Sequence, residues 1–256
     1  MEKEQNEPLK EGISNKHRKK KGRGIYLLPN LFTTAALFGG FYAVIAAMNG
    51  KFEAASIAIF IAMILDGLDG RVARMTNTQS DFGAEYDSLA DMISFGVAPA
   101  LVIYTWALST MGKIGWIAAF VYVVGAALRL ARFNTQIGHA DKRYFIGLPS
   151  PSAAGFTVGF VWLCVDYGVT VESIKYLAFL ITVLAGILMV SGVKYRSFKD
   201  LDLKNKVPFV TVLIMVLIFI AIVYQPPSVL FAGFGAYTII AMLMYLWRMI
   251  KKKKAA

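Results

Sequence analysis

Six stretches of the sequence, 27–48, 92–112, 145–165, 176–193, 207–225 and 228–247, carry no charged side chain. Each reaches the roughly 18 residues that read as a membrane-spanning helix. Lipid offers no partner for a backbone N–H or C=O, so apolar runs of this length satisfy those groups internally and fold as helices. Apolar residues make up 57% of the chain and charged residues 17%, against roughly 45–50% and 25% in soluble domains. A soluble globule and a disordered chain are both excluded.

Two shorter apolar runs, 54–65 and 114–128, end in charge: the first in Asp66, Asp69, Arg71 and Arg74, the second in Arg129 and Arg132. Each completes a span if its charged end reaches an interface or a polar cavity. Counting them predicts an all-α integral membrane protein of about eight transmembrane helices. The expected helices are 26–48, 52–75, 87–109, 113–133, 149–168, 174–193, 207–225 and 228–249. They form one domain over 26–249, flanked by basic tails at 1–25 and 250–256.

The net charge of +11 is placed for lipid headgroups, not for nucleic acid. Lys16, Arg18, Lys19, Lys20, Lys21 and Arg23 precede the first apolar run, and Arg248 with Lys251 to Lys254 follows the last. With eight spans, all of the 27 Lys and Arg except Lys51, Lys113 and Lys175 fall on the side of the two termini. The positive-inside rule makes that side cytoplasmic, with the charged ends of helices two, three and four. The long basic tail, with no small-residue cleavage site after the first apolar run, is unlike a signal peptide, so the first span is expected to stay in place. Cys164 stands alone in an apolar run and reads as a small buried or lipid-facing residue.

Chemistry concentrates between residues 66 and 91. Asp66 and Asp69 are spaced i, i+3, and Asp87 and Asp91 are spaced i, i+4, so each pair shares a helical face. A short connection makes the two helices antiparallel neighbours whose acidic faces converge. Four uncompensated carboxylates at membrane depth would cost roughly 2.5–3.5 kcal/mol each. Interfacial ion pairs with Arg71 or Arg74 account for one such carboxylate but not for four. A set of oxygen ligands without His or Cys favours Mg²⁺ or Mn²⁺, with Ca²⁺ as a structural substitute, and a pair of such ions is a recurrent device for displacement at phosphorus. Gly67, Gly70 and Gly83 leave room for a substrate against the backbone, and Arg74 suits a phosphate.

The spacing D-x-x-D-G-x-x-A-R-x8-G-x3-D-x3-D, met by Asp66, Asp69, Gly70, Ala73, Arg74, Gly83, Asp87 and Asp91, resembles the signature of the CDP-alcohol phosphatidyltransferase family. The resemblance implies a six-helix core, here extended by two C-terminal helices, in a homodimer with the cytidine nucleotide at the cytoplasmic membrane face. It implies that Asp66, Asp69, Asp87 and Asp91 hold two divalent cations, with Asp91 also the general base. Gly70, Arg74 and Ser80 match positions that contact the CDP-linked donor. Pro29-Asn30-Leu31-Phe32-Thr33 looks like the family's first-helix segment, which adds Asn30 and Thr33 as donor contacts; Asn30 read alone serves equally as a helix cap.

Residues outside the signature bear on the acceptor. The segments from Ser94 to Ala100, from Arg129 to Asn134 and from Phe145 to Ala154 resemble the membrane-integral phosphatidylserine synthases of that family. This implies transfer of the phosphatidyl group from CDP-diacylglycerol to L-serine with release of CMP, in the cytoplasmic membrane of a prokaryote. Serine carries a carboxylate that needs a cationic or amide-rich pocket, and Arg129, Arg132 and Asn134 are the candidates. Both arginines read alone could equally snorkel to headgroups, and Gly147, Pro149 and Pro151 could simply shape a helix entrance. A transferase using glycerol 3-phosphate, an inositol phosphate or phosphatidylglycerol is the alternative. A cation transporter is remote, because neither broken helices nor repeated halves are evident.

The charge distribution makes a direct prediction. With Cys164 replaced by Ser, single cysteines near Asn77 and His139 react with reagents confined to the cytoplasmic side, and one near Asn49 does not. The opposite pattern would overturn the orientation.

Overall fold

A computed structural model describes residues 27–135, 144–196 and 209–255. The N-terminal tail, His139, Lys142, Arg143, Lys199, Lys204 and Lys206 lie outside them. Within the described residues the helices are α1 (Leu27–Met48), α2 (Phe52–Thr76), α3 (Asp81–Trp106), α4 (Lys113–Thr135), α5 (Ser150–Asp166), α6 (Val171–Val190), α7 (Phe209–Tyr224) and α8 (Pro226–Ala255). The eight expected helices are thus present. Three ends differ. α3 begins at Asp81 instead of 87, because Ser80 caps it by accepting the Gly83 N–H at 3.0 Å. Its first turns carry Asp81, Glu85 and Asp87, so hydropathy did not mark them. α6 begins at Val171 instead of 174, and α8 continues to Ala255 instead of stopping at 249. The lysines there keep the helix going because Lys is a good helix former.

Five of these helices are long and apolar enough to cross a bilayer by themselves: α1, α3, α4, α6 and α8. The other three depart for separate reasons. α2 carries Asp66, Asp69, Arg71 and Arg74 in its C-terminal half. α5, of 17 residues, has 12 of them buried and is the central helix of the bundle, so protein and not lipid surrounds it. α7, of 16 residues, has none buried and touches the rest of the described structure through α8.

Close packing of small residues holds the bundle, as expected where lipid removes the hydrophobic drive between helices. α1 lays Gly39 against Ala58 and Ala62 of α2, where a Cβ would meet the Ala58 carbonyl at 3.1 Å, and its Ala43, Ala46 and Ala47 are buried in one cluster with Ala55, Ala58, Ile59 and Ala62. A Cβ at Gly125 of α4 would fall 2.4 Å from the Gly186 carbonyl oxygen of α6. Cys164 is buried, in agreement with the apolar reading.

Two devices shape the end of the bundle that carries the acidic residues. A two-stranded antiparallel pair, β1 (Tyr144–Ile146) with β2 (Lys194–Arg196), sets Phe145 opposite Tyr195 and ties the segment before α5 to the segment after α6. Gly147 then turns into α5 at φ +87°, where any Cβ would meet the Met189 carbonyl at 2.2 Å. The second device is a π-helical turn at Met92–Val97 inside α3. It begins one residue after Asp91 and ends just before Pro99, which has no N–H to return to the carbonyl one turn back at Phe95. The buried Tyr122 hydroxyl of α4 donates to that carbonyl instead, at 3.1 Å. The extra residue in the turn rotates all that follows by about 100°. Asp87 and Asp91 can therefore face the site while Ser94 packs on α1, donating to the Ala36 carbonyl at 3.0 Å beside Gly40.

Gly125→Ala should destabilise the protein by about 1–3 kcal/mol, because neither backbone can move away from the added methyl without opening the α4/α6 contact. Gly67→Ala, whose Cβ would meet nothing within 4 Å, should leave thermal stability in detergent equal or slightly raised. An equal loss of Tm in the two variants would refute this account of the packing.

Candidate active site

The acidic residues meet where α2 ends and α3 begins. Ligand oxygens of Asp66, Asp69 and Asp87 all lie within 4.8 Å of one another. Asp91, one turn further along α3 than Asp87, is a hydrogen-bond neighbour of Asp66. Its Oδ1 is buried and has no hydrogen-bond partner. The i, i+3 and i, i+4 spacings thus place all four carboxylates around one space. Carboxylates this close repel one another unless positive charge lies between them. An all-oxygen donor set with a buried, unpartnered carboxylate oxygen fits a hard divalent cation.

Neighbouring residues hold the ligands in place. Thr33 of α1, 4% exposed, donates its hydroxyl to Asp69 Oδ2 at 2.7 Å, and Asp69 itself is 5% exposed. The sequence offered Thr33 as a donor contact; its place in the fold is to orient a ligand. Thr34 bonds the Tyr86 hydroxyl at 2.9 Å, locking α1 to the same turn of α3 that carries Asp87. Asn30 lies inside the first turn of α1, not at a cap position, which removes the capping reading. Its Oδ1 sits 3.5 Å from where a Gly83 Cβ would be, so Asn30 faces the start of α3. Ser80 is also there, already engaged as the α3 cap.

The glycines separate into two kinds. A Cβ on Gly67 would enter open space, whereas one on Gly70 would touch only the Arg74 guanidinium at 3.5 Å. Packing within the protein therefore does not require glycine at 67, and the open backbone there suits a bound molecule. Arg74 is exposed, lies back over Gly70 and interacts electrostatically with Asp69.

The basic residues of α4 differ in what they face. Arg129 donates from Nη1 to Ser150 Oγ at the start of α5, and its guanidinium interacts electrostatically with Asp91 and Asp66. Arg132 donates from Nη2 to the Val190 carbonyl at 2.9 Å, closing the C-terminal end of α6, where a cation also complements the helix dipole. Asn134 donates to Ser88 Oγ at 3.1 Å and ties the end of α4 to the residue after Asp87. Of the three, Arg129 stands nearest the acidic cluster. Sequence reasoning missed Ser150, Tyr122 and the π-helical turn; Pro99, a residue without an N–H inside an apolar run, was the available signal.

Comparison with known proteins agrees with this geometry. The family model described as CDP-alcohol phosphatidyltransferase matches residues 26–190. A Helicobacter pylori protein named CDP-diacylglycerol--serine O-phosphatidyltransferase is 40% identical over 228 residues, covering 89% of this chain and 94% of that protein. Proteins of the same name from Methanocaldococcus jannaschii and Bacillus subtilis are 42% identical over 142 residues and 34% identical over 181 residues. These alignments cover 56% of this chain and 63% of the first protein, and 70% of this chain and 94% of the second.

Thr33→Val should weaken Mn²⁺ binding about 10- to 100-fold, the usual effect of removing a group that orients a metal ligand, whereas Thr33→Ser should retain most of it. Titration of the Mn²⁺ electron paramagnetic resonance signal reads this directly. Equal binding in wild type and Thr33→Val would show that Asp69 does not depend on the Thr33 bond.

Proposed function

The chain belongs to the CDP-alcohol phosphatidyltransferase family, and from that premise we infer that it is a membrane enzyme transferring the phosphatidyl group of CDP-diacylglycerol to L-serine, with CMP as the other product. The observation that carries the choice of serine is Arg129. A basic side chain, steadied by Ser150 and facing Asp66 and Asp91, gives a carboxylate a place beside the reacting phosphorus. Relatives named for the same reaction in two bacteria and an archaeon support this reading.

The chemistry follows from the residues. Asp66, Asp69, Asp87 and Asp91 would hold two divalent cations, Mg²⁺ or Mn²⁺, which when bound neutralise the pyrophosphate and stabilise the leaving CMP. The open backbone at Gly67 and Gly70 admits the donor, with Arg74 available to its phosphates, and Asn30 and Ser80 at the rim. Arg129 binds the serine carboxylate and turns the hydroxyl toward phosphorus. Asp91, whose Oδ1 has no other partner, takes the hydroxyl proton as the new O–P bond forms. The bond between that phosphorus and the oxygen of CMP breaks.

Placement at the membrane surface follows from the substrates. CMP is soluble and the product is a lipid, so the site opens to cytosol and bilayer together. The basic bias of the connections supports a cytoplasmic position for that end and for both termini. The homodimer implied by the family resemblance belongs to the same proposal.

Purified protein given CDP-diacylglycerol should form phosphatidylserine with serine and no product with glycerol 3-phosphate or inositol; product only with one of the latter would defeat the serine assignment. A chelator should abolish turnover, and Mg²⁺ or Mn²⁺ should restore it; full activity in metal-free protein would remove the cations from the proposal. Asp91→Asn should chiefly lower kcat. Arg129→Ala should raise KM for serine by roughly 10- to 150-fold, the worth of a charge-assisted hydrogen bond. Arg132→Ala acts on the end of α6 and should shift that KM less; the reverse ranking would move the carboxylate to Arg132.

A further inference from the structure

Asp69 and Asp91 are held in different ways. The Thr33 hydroxyl fixes Asp69 from α1 at 2.7 Å. Asp91 Oδ1 is buried with no hydrogen-bond partner among the described residues, so the backbone that carries it sets its direction. That backbone turns irregular at the very next residue. The π-helical turn runs over Met92–Val97, and at its end the Ala98 N–H donates to the Ile93 carbonyl instead of the carbonyl one α-helical turn back, at Ser94.

The inner part of the turn is pinned on two sides. Ser94 is clamped on α1: its hydroxyl donates to the Ala36 carbonyl at 3.0 Å, and a Cβ on Gly40 would lie 2.6 Å from its Cα. Gly96 lies against α4, where a Cβ would come within 3.1 Å of the Ala126 Cβ. With these contacts fixed, closing the turn to α-helical spacing would rotate Asp87 and Asp91 about the helix axis by about 100°. The Phe95 carbonyl is where α4 ties the turn in place. Pro99 returns no N–H to it, and the hydroxyl of Tyr122, fully buried, donates to it at 3.1 Å. The Tyr122 bond thus stands in for a missing rung of the helix.

We propose that Tyr122 is a positioning residue for the reaction: by holding the Phe95 carbonyl it keeps the π-helical turn open, and the turn sets the direction of Asp91 as ligand and as base. This rests on the reading of Asp91 as metal ligand and general base. Without the hydroxyl, the Phe95 carbonyl is buried with no donor, and the turn shifts to reach one. The effect falls on cation affinity and on the chemical step and not on the binding of either substrate, because Arg74 and Arg129, which meet the substrates' charges, are carried by α2 and α4 and not by α3.

The test is made on the full-length enzyme in lipid vesicles, with steady-state kinetics and with Mn²⁺ binding followed by electron paramagnetic resonance. Tyr122→Phe keeps the ring and removes only the hydroxyl. It should lower kcat and weaken Mn²⁺ binding roughly tenfold each, the low end for a group that orients a metal ligand, with KM for serine and for CDP-diacylglycerol within about twofold. Pro99→Ala supplies a backbone N–H one turn beyond Phe95, so adding it to Tyr122→Phe should return kcat and Mn²⁺ binding to within about threefold of Pro99→Ala alone. Wild-type kcat and Mn²⁺ binding in Tyr122→Phe, or a loss that Pro99→Ala does not repair, would overturn the proposal. If Tyr122→Phe does not fold by itself, the double variant decides: recovery of both quantities supports the Phe95 carbonyl as the point of action, and continued loss refutes it. Unaltered kcat and Mn²⁺ binding in Asp91→Asn would instead remove the role assigned to Asp91, and this proposal with it.

Discussion

A carboxylate held at membrane depth has to meet positive charge or hydrogen-bond donors, and four of them in one place make that requirement severe. The end of the bundle is organised around it. α2 and α3 supply the carboxylates, α1 supplies the Thr33 hydroxyl to Asp69, and α4 supplies the Arg129 guanidinium facing Asp66 and Asp91. What these groups leave uncompensated suits hard cations, and phosphate oxygens carried with them. The site is thus a consequence of putting acid where lipid forbids it, and the activity is a use of that instability.

Precision in the site depends on packing some distance away. The α1/α2 pair meets through alanines and glycines, which lets backbones approach closely and leaves few side-chain rotamers to adjust. Asp66 and Asp69 therefore sit on a stiff pair. α3 has a harder task, because Asp87 and Asp91 must face the acidic space while the same helix lower down must pack on α1 and α5. The π-helical turn at Met92–Val97 resolves this by shifting the phase of the helix. The Phe95 carbonyl left without a donor by Pro99 is satisfied by Tyr122, so the irregularity is stable in the interior of the bundle.

The periphery divides the C-terminal pair of helices. α7 buries nothing among the described residues, in keeping with a helix whose surroundings are lipid. α8 packs along α5 and brings aromatic side chains to the end where Arg129 and Ser150 meet. The strand pair and the turn at Gly147 fix that end from the other direction. That end of the bundle is thereby enclosed by segments whose hydropathy alone gives no hint of a polar role.

Hydrophobic run length and the spacing of four aspartates determined the helix count and the place of the acidic cluster, because lipid permits one local solution to an apolar run and helical periodicity fixes which residues share a face. Glycine at 70 and 83 and arginine at 74 were legible for the same reason: they fall within a rigid local repeat. Tertiary structure decided matters that depend on which helices touch. Thr33 orients Asp69 only because α1 and α2 lie together; Arg132 closes α6 while Arg129, one turn earlier, faces the carboxylates, only because α4 packs between them. The start of α3 at Ser80 and the role of Tyr122 were hidden likewise, since a polar cap and a buried hydroxyl take their meaning from partners remote in sequence. Local periodicity is written in the order of residues, whereas the pairing of one helix face with another is settled by the packing of the whole bundle.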